Sequence, residues 1–135
     1  MGKKQYEVGK SWEQEIMEYY NKKGFYTYKF PTDFNGTICD ILVARGGACM
    51  FIEAKHTKSD KLRYKESGLY KKRDELNNFT SKYSNVYIMI KSDKVGIYWT
   101  SWLKAKPIFE EKGYLELEKD CYCANGRWLY AADWF

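Results

Sequence analysis

Apolar residues recur along this chain with two periods. Over residues 11–23 the positions Trp12, Ile16, Tyr19 and Tyr20 fall at i, i+4, i+7 and i+8, one stripe of an α-helix. Ser11 suits the N-cap and Gly24 the end, which leaves residues 1–10 as a loose, polar arm. Residues 25–30 alternate and read as a strand, and the loop 30–36 has turn chemistry at both ends. Two apolar runs, 41–44 and 48–52, flank Gly46-Gly47 and predict a two-residue hairpin, because both central positions need positive φ. A basic connector, 57–65, leads to a second helical stripe over 66–83, formed by Leu69, Leu76, Phe79 and Tyr83, with Gly68 weakening its first turn. Strands follow at 86–90 and 95–100, then a short helix over 102–112 broken by Pro107. The tail, 113–135, alternates at 114–118 and places an Asn125-Gly126 turn between two short strands. This order predicts an α/β (α+β) fold: one mixed sheet flanked by helices, with a small aromatic-rich C-terminal β appendage. No linker, internal repeat or low-complexity segment interrupts it, so residues 1–135 read as a single domain.

The hairpin has a chemical consequence. With Gly46-Gly47 as the turn, cross-strand partners have numbers that sum to 93, so Asp40 lies opposite Glu53. Lys55, two residues on, points to the same face. Like charges facing one another destabilise a sheet, so this pair is costly unless something binds it. A hard divalent cation is the natural partner of two carboxylates. Glu13, at the edge of the first helical stripe, can point toward the sheet or simply favour the helix dipole. The loop 30–36 leads straight into the Asp40 strand, which makes Thr32 and Phe34 candidates for touching a substrate; Phe34 fits the core equally well.

Composition narrows the partner. Hydrophobic residues at 44% and aromatics at 19% exclude disorder, and the net charge of +5 matters only if the charges cluster. They do: Lys55, Lys58, Lys61, Arg63, Lys65, Lys71, Lys72 and Arg73 lie within one segment against Asp60 and Glu66. Alone, such a run is a solvated face; beside a carboxylate pair it points to nucleic acid, with phosphates tracked along it. No signal segment or membrane-length apolar run is visible, so an intracellular, cytoplasmic setting without membrane contact is expected. The four cysteines then read as reduced, Cys39 and Cys49 as small core residues. Cys121 and Cys123 lack a second pair at ligand spacing, so no zinc site is expected. The Lys-, Tyr- and Asn-rich composition is compatible with a bacteriophage or an AT-rich bacterium.

Asp40, the hairpin and Glu53-Ala54-Lys55 also spell the D…(D/E)-x-K pattern of the restriction-endonuclease-like nuclease superfamily. In context the match is more specific. Gly9-Lys10-Ser11-Trp12-Glu13-Gln14-Glu15, Lys23-Gly24-Phe25, Cys39-Asp40-Ile41 and Ile52-Glu53-Ala54-Lys55 resemble the archaeal-type Holliday junction resolvases. The similarity continues through residues 57–64, 74–79 and 86–99, and more distantly reaches the RecU resolvases. The resemblance implies a restriction-endonuclease-like fold and a metal-dependent active site of Glu13, Asp40, Glu53 and Lys55. It further implies one or two Mg²⁺ (Mn²⁺ as the alternative) held by Asp40, Glu53, Glu13 and the Ala54 carbonyl, with no organic cofactor. Lys29 matches a basic residue at the end of the first strand that is arginine in archaeal members, so bidentate phosphate contact is lost. Lys10 and Lys29 join Thr32, Phe34 and the basic segment as expected DNA contacts. Cys39 replaces the superfamily's usual proline. The family's dimer contact involves the second helix, which nominates Leu76, Phe79 and Tyr83; packing onto their own sheet is the alternative.

The implied activity is endonucleolytic resolution of four-way DNA junctions by a homodimer. A nuclease of the same fold acting on another DNA (restriction, repair or fork type) and a non-cleaving DNA-binding accessory protein are the alternatives. The intact Glu53-x-Lys55 pair argues against the last.

Overall fold

The computed structural model describes residues 2–31, 39–82 and 86–124, without the side chains of 2–11 and 82. Its centre is a six-stranded mixed sheet in the order β1 (Tyr26–Lys29), β2 (Ile41–Arg45), β3 (Ala48–Thr57), β5 (Val86–Ser92), β6 (Gly96–Ser101), β8 (Tyr122–Cys123). Only the β3–β5 pair is parallel; the others are antiparallel. A parallel pair needs a crossover. Here it passes through β4 (Lys61–Arg63), a series of turns, and α2 (Arg73–Lys82). Among the described helices, none is long and apolar enough to cross a membrane.

The hairpin has the register its turn dictates. Gly46 and Gly47 have φ of 57° and 85°, and Ile41 pairs with Ile52, Arg45 with Ala48. Helix α1 (Gly2–Lys22) lays Trp12, Ile16 and Tyr20 on one sheet face, against Ile41, Val43, Met50, Ile52 and Met89. The Trp12 indole donates to the Met89 carbonyl at 3.1 Å, fixing the helix across the middle of the sheet. On the opposite face, Leu76 of α2 and Trp102, Ala105 and Phe109 of α3 (Trp102–Lys112) cover Val86, Ile88 and Ile90.

Several elements differ from expectation. Residues expected as a loose arm continue α1 back to Gly2: the segment contains no proline, and Gly9 costs a helix only about 1 kcal/mol. The second helix starts at Arg73, not residue 66, because residues 64–72 fold as turns around Gly68 at φ 85°. Pro107 lies inside α3 without breaking it. The Ser101 hydroxyl caps the start by accepting from Lys104 N–H, Gly113 closes the end in the left-handed conformation, and buried residues on both sides of the proline hold the helix to the core.

Cys39 is buried, but Cys49 is exposed, because its position at the hairpin end lies beyond the helices that cover that face. Within the tail, β7 (Tyr114–Glu116) pairs with β4 as a second, two-stranded sheet. Helix α4 (Leu117–Asp120) follows, and β8 joins the main sheet beside β6. Leu115 and Leu117 are fully buried, so this part of the expected appendage belongs to the core. The Asn125-Gly126 turn lies outside the described residues.

Candidate active site

Odd-numbered residues of β3 face α2 and α3, as their β5 partners show. Glu53 pairs with Ile88 and Lys55 with Ile90, both in the core under those helices. Glu53 and Lys55 therefore share a face, as the strand period requires. Asp40 stands one residue before the first ladder pair of β2. Its N–H donates to the Ile52 carbonyl at 2.9 Å, and its Oδ2 accepts from the Ala54 N–H at 2.8 Å. The aspartate thus turns from the ladder and is clasped by the backbone between Glu53 and Lys55.

Glu53 is the electrostatic centre. Its side chain is 0% exposed, and two ammonium groups approach it: Lys72 Nζ at 2.7 Å from Oε1 and Lys55 Nζ at 3.7 Å from Oε2. Oε1 accepts a hydrogen bond from Lys72, whereas Oε2 is buried with no hydrogen-bond partner. Burial first, and the Asp40 charge second, push the Glu53 carboxyl above its usual range, despite the opposing pull of Lys55 and Lys72. Burial alone lowers Lys72, but the charge and hydrogen bond of Glu53 outweigh it and raise the ammonium pKa. The buried Cys39 thiol is pushed up chiefly by burial and further by Glu53 and Asp40, a second sign of crowded negative charge.

A buried carboxylate oxygen without a hydrogen-bond donor, beside another carboxylate, suits a hard cation. Among the described residues no group of three or more His, Cys, Asp or Glu side chains could hold a metal ion. The remaining ligands would be the Ala54 carbonyl, water and substrate oxygens, which is how Mg²⁺ is commonly held.

Lys55 is oriented from outside the pair: its Nζ donates to the Ser67 carbonyl at 2.8 Å. That carbonyl lies in the turn series after β4, where Ser67 N–H bonds to Arg63 O and Tyr70 N–H to Tyr64 O. Neither the Ser67 contact nor the Lys72–Glu53 pair follows from sequence periodicity: both depend on how residues 64–72 fold, where Gly68 is the one local signal.

The other expected residues are distributed more widely. Glu13 forms an ion pair with Lys29 at 3.0 Å. Lys29 is the ladder partner of Ile41, so this pair lies at the same end of the sheet as Asp40, on the face that α1 covers. Lys58 and Lys71 are exposed. Arg73 stacks on Tyr70 at 3.9 Å, with Lys65 over the same ring, while Lys61 lies over Tyr114 and Arg63 pairs with Glu66. Lys72 is not a free phosphate contact here, since Glu53 holds it. Leu76 is 1% exposed and packs into its own core, which corrects its nomination as a dimer contact; it faces β5, not solvent. Phe79 is half-buried, edge-on to Phe51 at 4.6 Å. Thr32, Phe34, Tyr83 and the Lys10 side chain lie outside the described residues.

The fold has a counterpart among solved structures. The chain is similar to the 1.6 Å structure of Hjc, a Holliday junction resolvase from the archaeal hyperthermophile Archaeoglobus fulgidus, with a TM-score of 0.57 and 18% identity. The match covers 71% of this chain and 78% of that one, and it shows the shared fold. No curated protein matches. The sequence profile of the archaeal Holliday junction resolvase (Hjc) family matches residues 4–120. The chain therefore belongs to the archaeal Holliday junction resolvase family, the junction-resolving nucleases.

Proposed function

We propose that the chain cuts four-way DNA junctions by metal-dependent phosphodiester hydrolysis at Asp40, Glu53 and Lys55. The observation that carries this reading is that Glu53 and Lys55 share a sheet face, Asp40 is bonded to the backbone between them, and Glu53 Oε2 is buried without a hydrogen-bond partner. Asp40 and Glu53 would hold Mg²⁺, with the Ala54 carbonyl as a further ligand. Bound there, Mg²⁺ supplies a water of lowered pKa and neutralises charge growing on the scissile phosphate. Lys55, steadied by the Ser67 carbonyl, holds the attacking water and adds positive charge beside the phosphate. Glu13 acts at one remove, by orienting Lys29 toward the strand end next to Asp40.

Lys58 and Lys71 contact phosphates without reading sequence. Selectivity for junctions then comes from the spacing of two such surfaces in a homodimer, which presents one site to each of two symmetric strands. Cleavage of a four-way junction compared with linear duplex of the same sequence, in Mg²⁺ and in EDTA, tests the proposal. Junction-selective, EDTA-sensitive cutting is expected. Equal cutting of both DNAs removes the selectivity, and cutting in EDTA removes the metal.

A further inference from the structure

Lys72 differs from the rest of the basic segment. It is the residue immediately before α2, its side chain is 35% exposed, and its Nζ lies 2.7 Å from an oxygen of a carboxylate that is itself 0% exposed. Its backbone is fixed, since Lys72 O accepts from Leu76 N–H at 2.9 Å and Lys72 N–H donates to Leu69 O at 3.1 Å. Leu76 and Leu69 are buried, so the base of the side chain is anchored, while the side chain as a whole is partly exposed and borders both Glu53 and solvent. Lys55 is different: its Nζ is tied to the Ser67 carbonyl as well as lying near Glu53.

We propose that Lys72 is an exchangeable counterion that stands in for the divalent cation on Glu53 and transfers to DNA phosphate when the cation binds. This rests on the reading of Asp40 and Glu53 as cation ligands. The reasoning is electrostatic. Two carboxylates, one of them fully buried, need compensating positive charge in the absence of metal, and Lys72 supplies it at Oε1 as Lys55 does near Oε2. A divalent cation on the same carboxylate repels an ammonium a few ångströms away, so metal binding favours release of Lys72. The half-exposed side chain then joins a surface that already presents Lys58 and Lys71. Cation and DNA therefore each favour binding of the other, because both act on the position of one ammonium.

The test is Mn²⁺ binding measured by calorimetry at pH 8 without DNA, on the full chain and on Lys72→Met, Lys72→Arg and Asp40→Asn. Removing the competing ammonium is expected to tighten Mn²⁺ binding by about tenfold in Lys72→Met. Lys72→Arg, which keeps the charge, should bind Mn²⁺ as the unmodified chain does. Junction affinity, read by anisotropy with Ca²⁺ and with EDTA, supplies the second arm. Ca²⁺ should strengthen junction binding in the unmodified chain and do so less in Lys72→Met. Unchanged or weaker Mn²⁺ binding by a folded Lys72→Met overturns the proposal while leaving the metal site intact. Mn²⁺ binding that survives Asp40→Asn overturns the site assignment itself, and the proposal with it.

Discussion

Asp40 and Ala54 are joined by a 2.8 Å hydrogen bond from the Ala54 N–H to Asp40 Oδ2. The main chain that carries Glu53 and Lys55 therefore also fixes the opposing carboxylate. Replacing Asp40 by Asn preserves an oxygen able to accept that N–H, so the fold is retained while one of the two carboxylates proposed to hold the cation is lost. Junction cleavage should fall at least about a thousandfold, equivalent to about 4 kcal/mol of barrier. Junction affinity should be kept or improved, since one negative charge facing DNA is removed. Parallel single-turnover cleavage and gel-shift measurements check both halves.

Glu53 gives a pH signature of known sign. Its carboxyl pKa is raised in the folded chain, above the ordinary value of 4.5, by burial and by Asp40. Between 4.5 and the raised value the folded state holds more protons than the unfolded one, so stability in EDTA declines as pH rises through that window. Glu53→Gln should abolish this pH-dependent component, while losing cleavage. Thermal melts of both proteins across pH in EDTA read the difference directly.

Lys58 and Lys71 are exposed and should act on phosphate alone. Each change to Ala is expected to weaken junction and duplex binding alike and to lower the slope of log affinity against log salt by about 1. Anisotropy titrations at several salt concentrations measure it. A loss confined to junctions would instead assign the side chain to shape recognition.

Ser101 caps α3, its hydroxyl accepting from the Lys104 N–H at 3.2 Å. Ser101→Ala should cost about 1 kcal/mol of stability, read by denaturant unfolding, with cleavage unchanged.

The central hairpin was legible because two glycines fix a turn, a turn fixes a register, and a register fixes which side chains share a face. The shared face of Glu53 and Lys55 follows from that local geometry, whereas Asp40 stands outside the ladder, held by its bonds to Ile52 and Ala54; the family resemblance implied all three. Lys72 did not follow. It meets Glu53 across 19 positions of sequence, through turns whose path depends on Leu69 and Gly68 rather than on any periodic pattern. The N-terminal extension of α1 was missed for the opposite reason: its polar first turns give no stripe to read. Pro107 reads as a helix breaker by propensity alone, and the caps and buried neighbours that hold α3 together outweigh it.

The pairing of β7 with β4 also bears on synthesis of the protein. Tyr64 N–H bonds to Gly113 O and Leu117 N–H to Asp60 O, so the turns that deliver Ser67 and Lys72 are braced by chain made some fifty residues later. A growing polypeptide displays its acidic pair well before it can brace the two lysines around it. In the order of synthesis, the turns that hold both lysines around that pair gain their brace only once residues 113–117 are made.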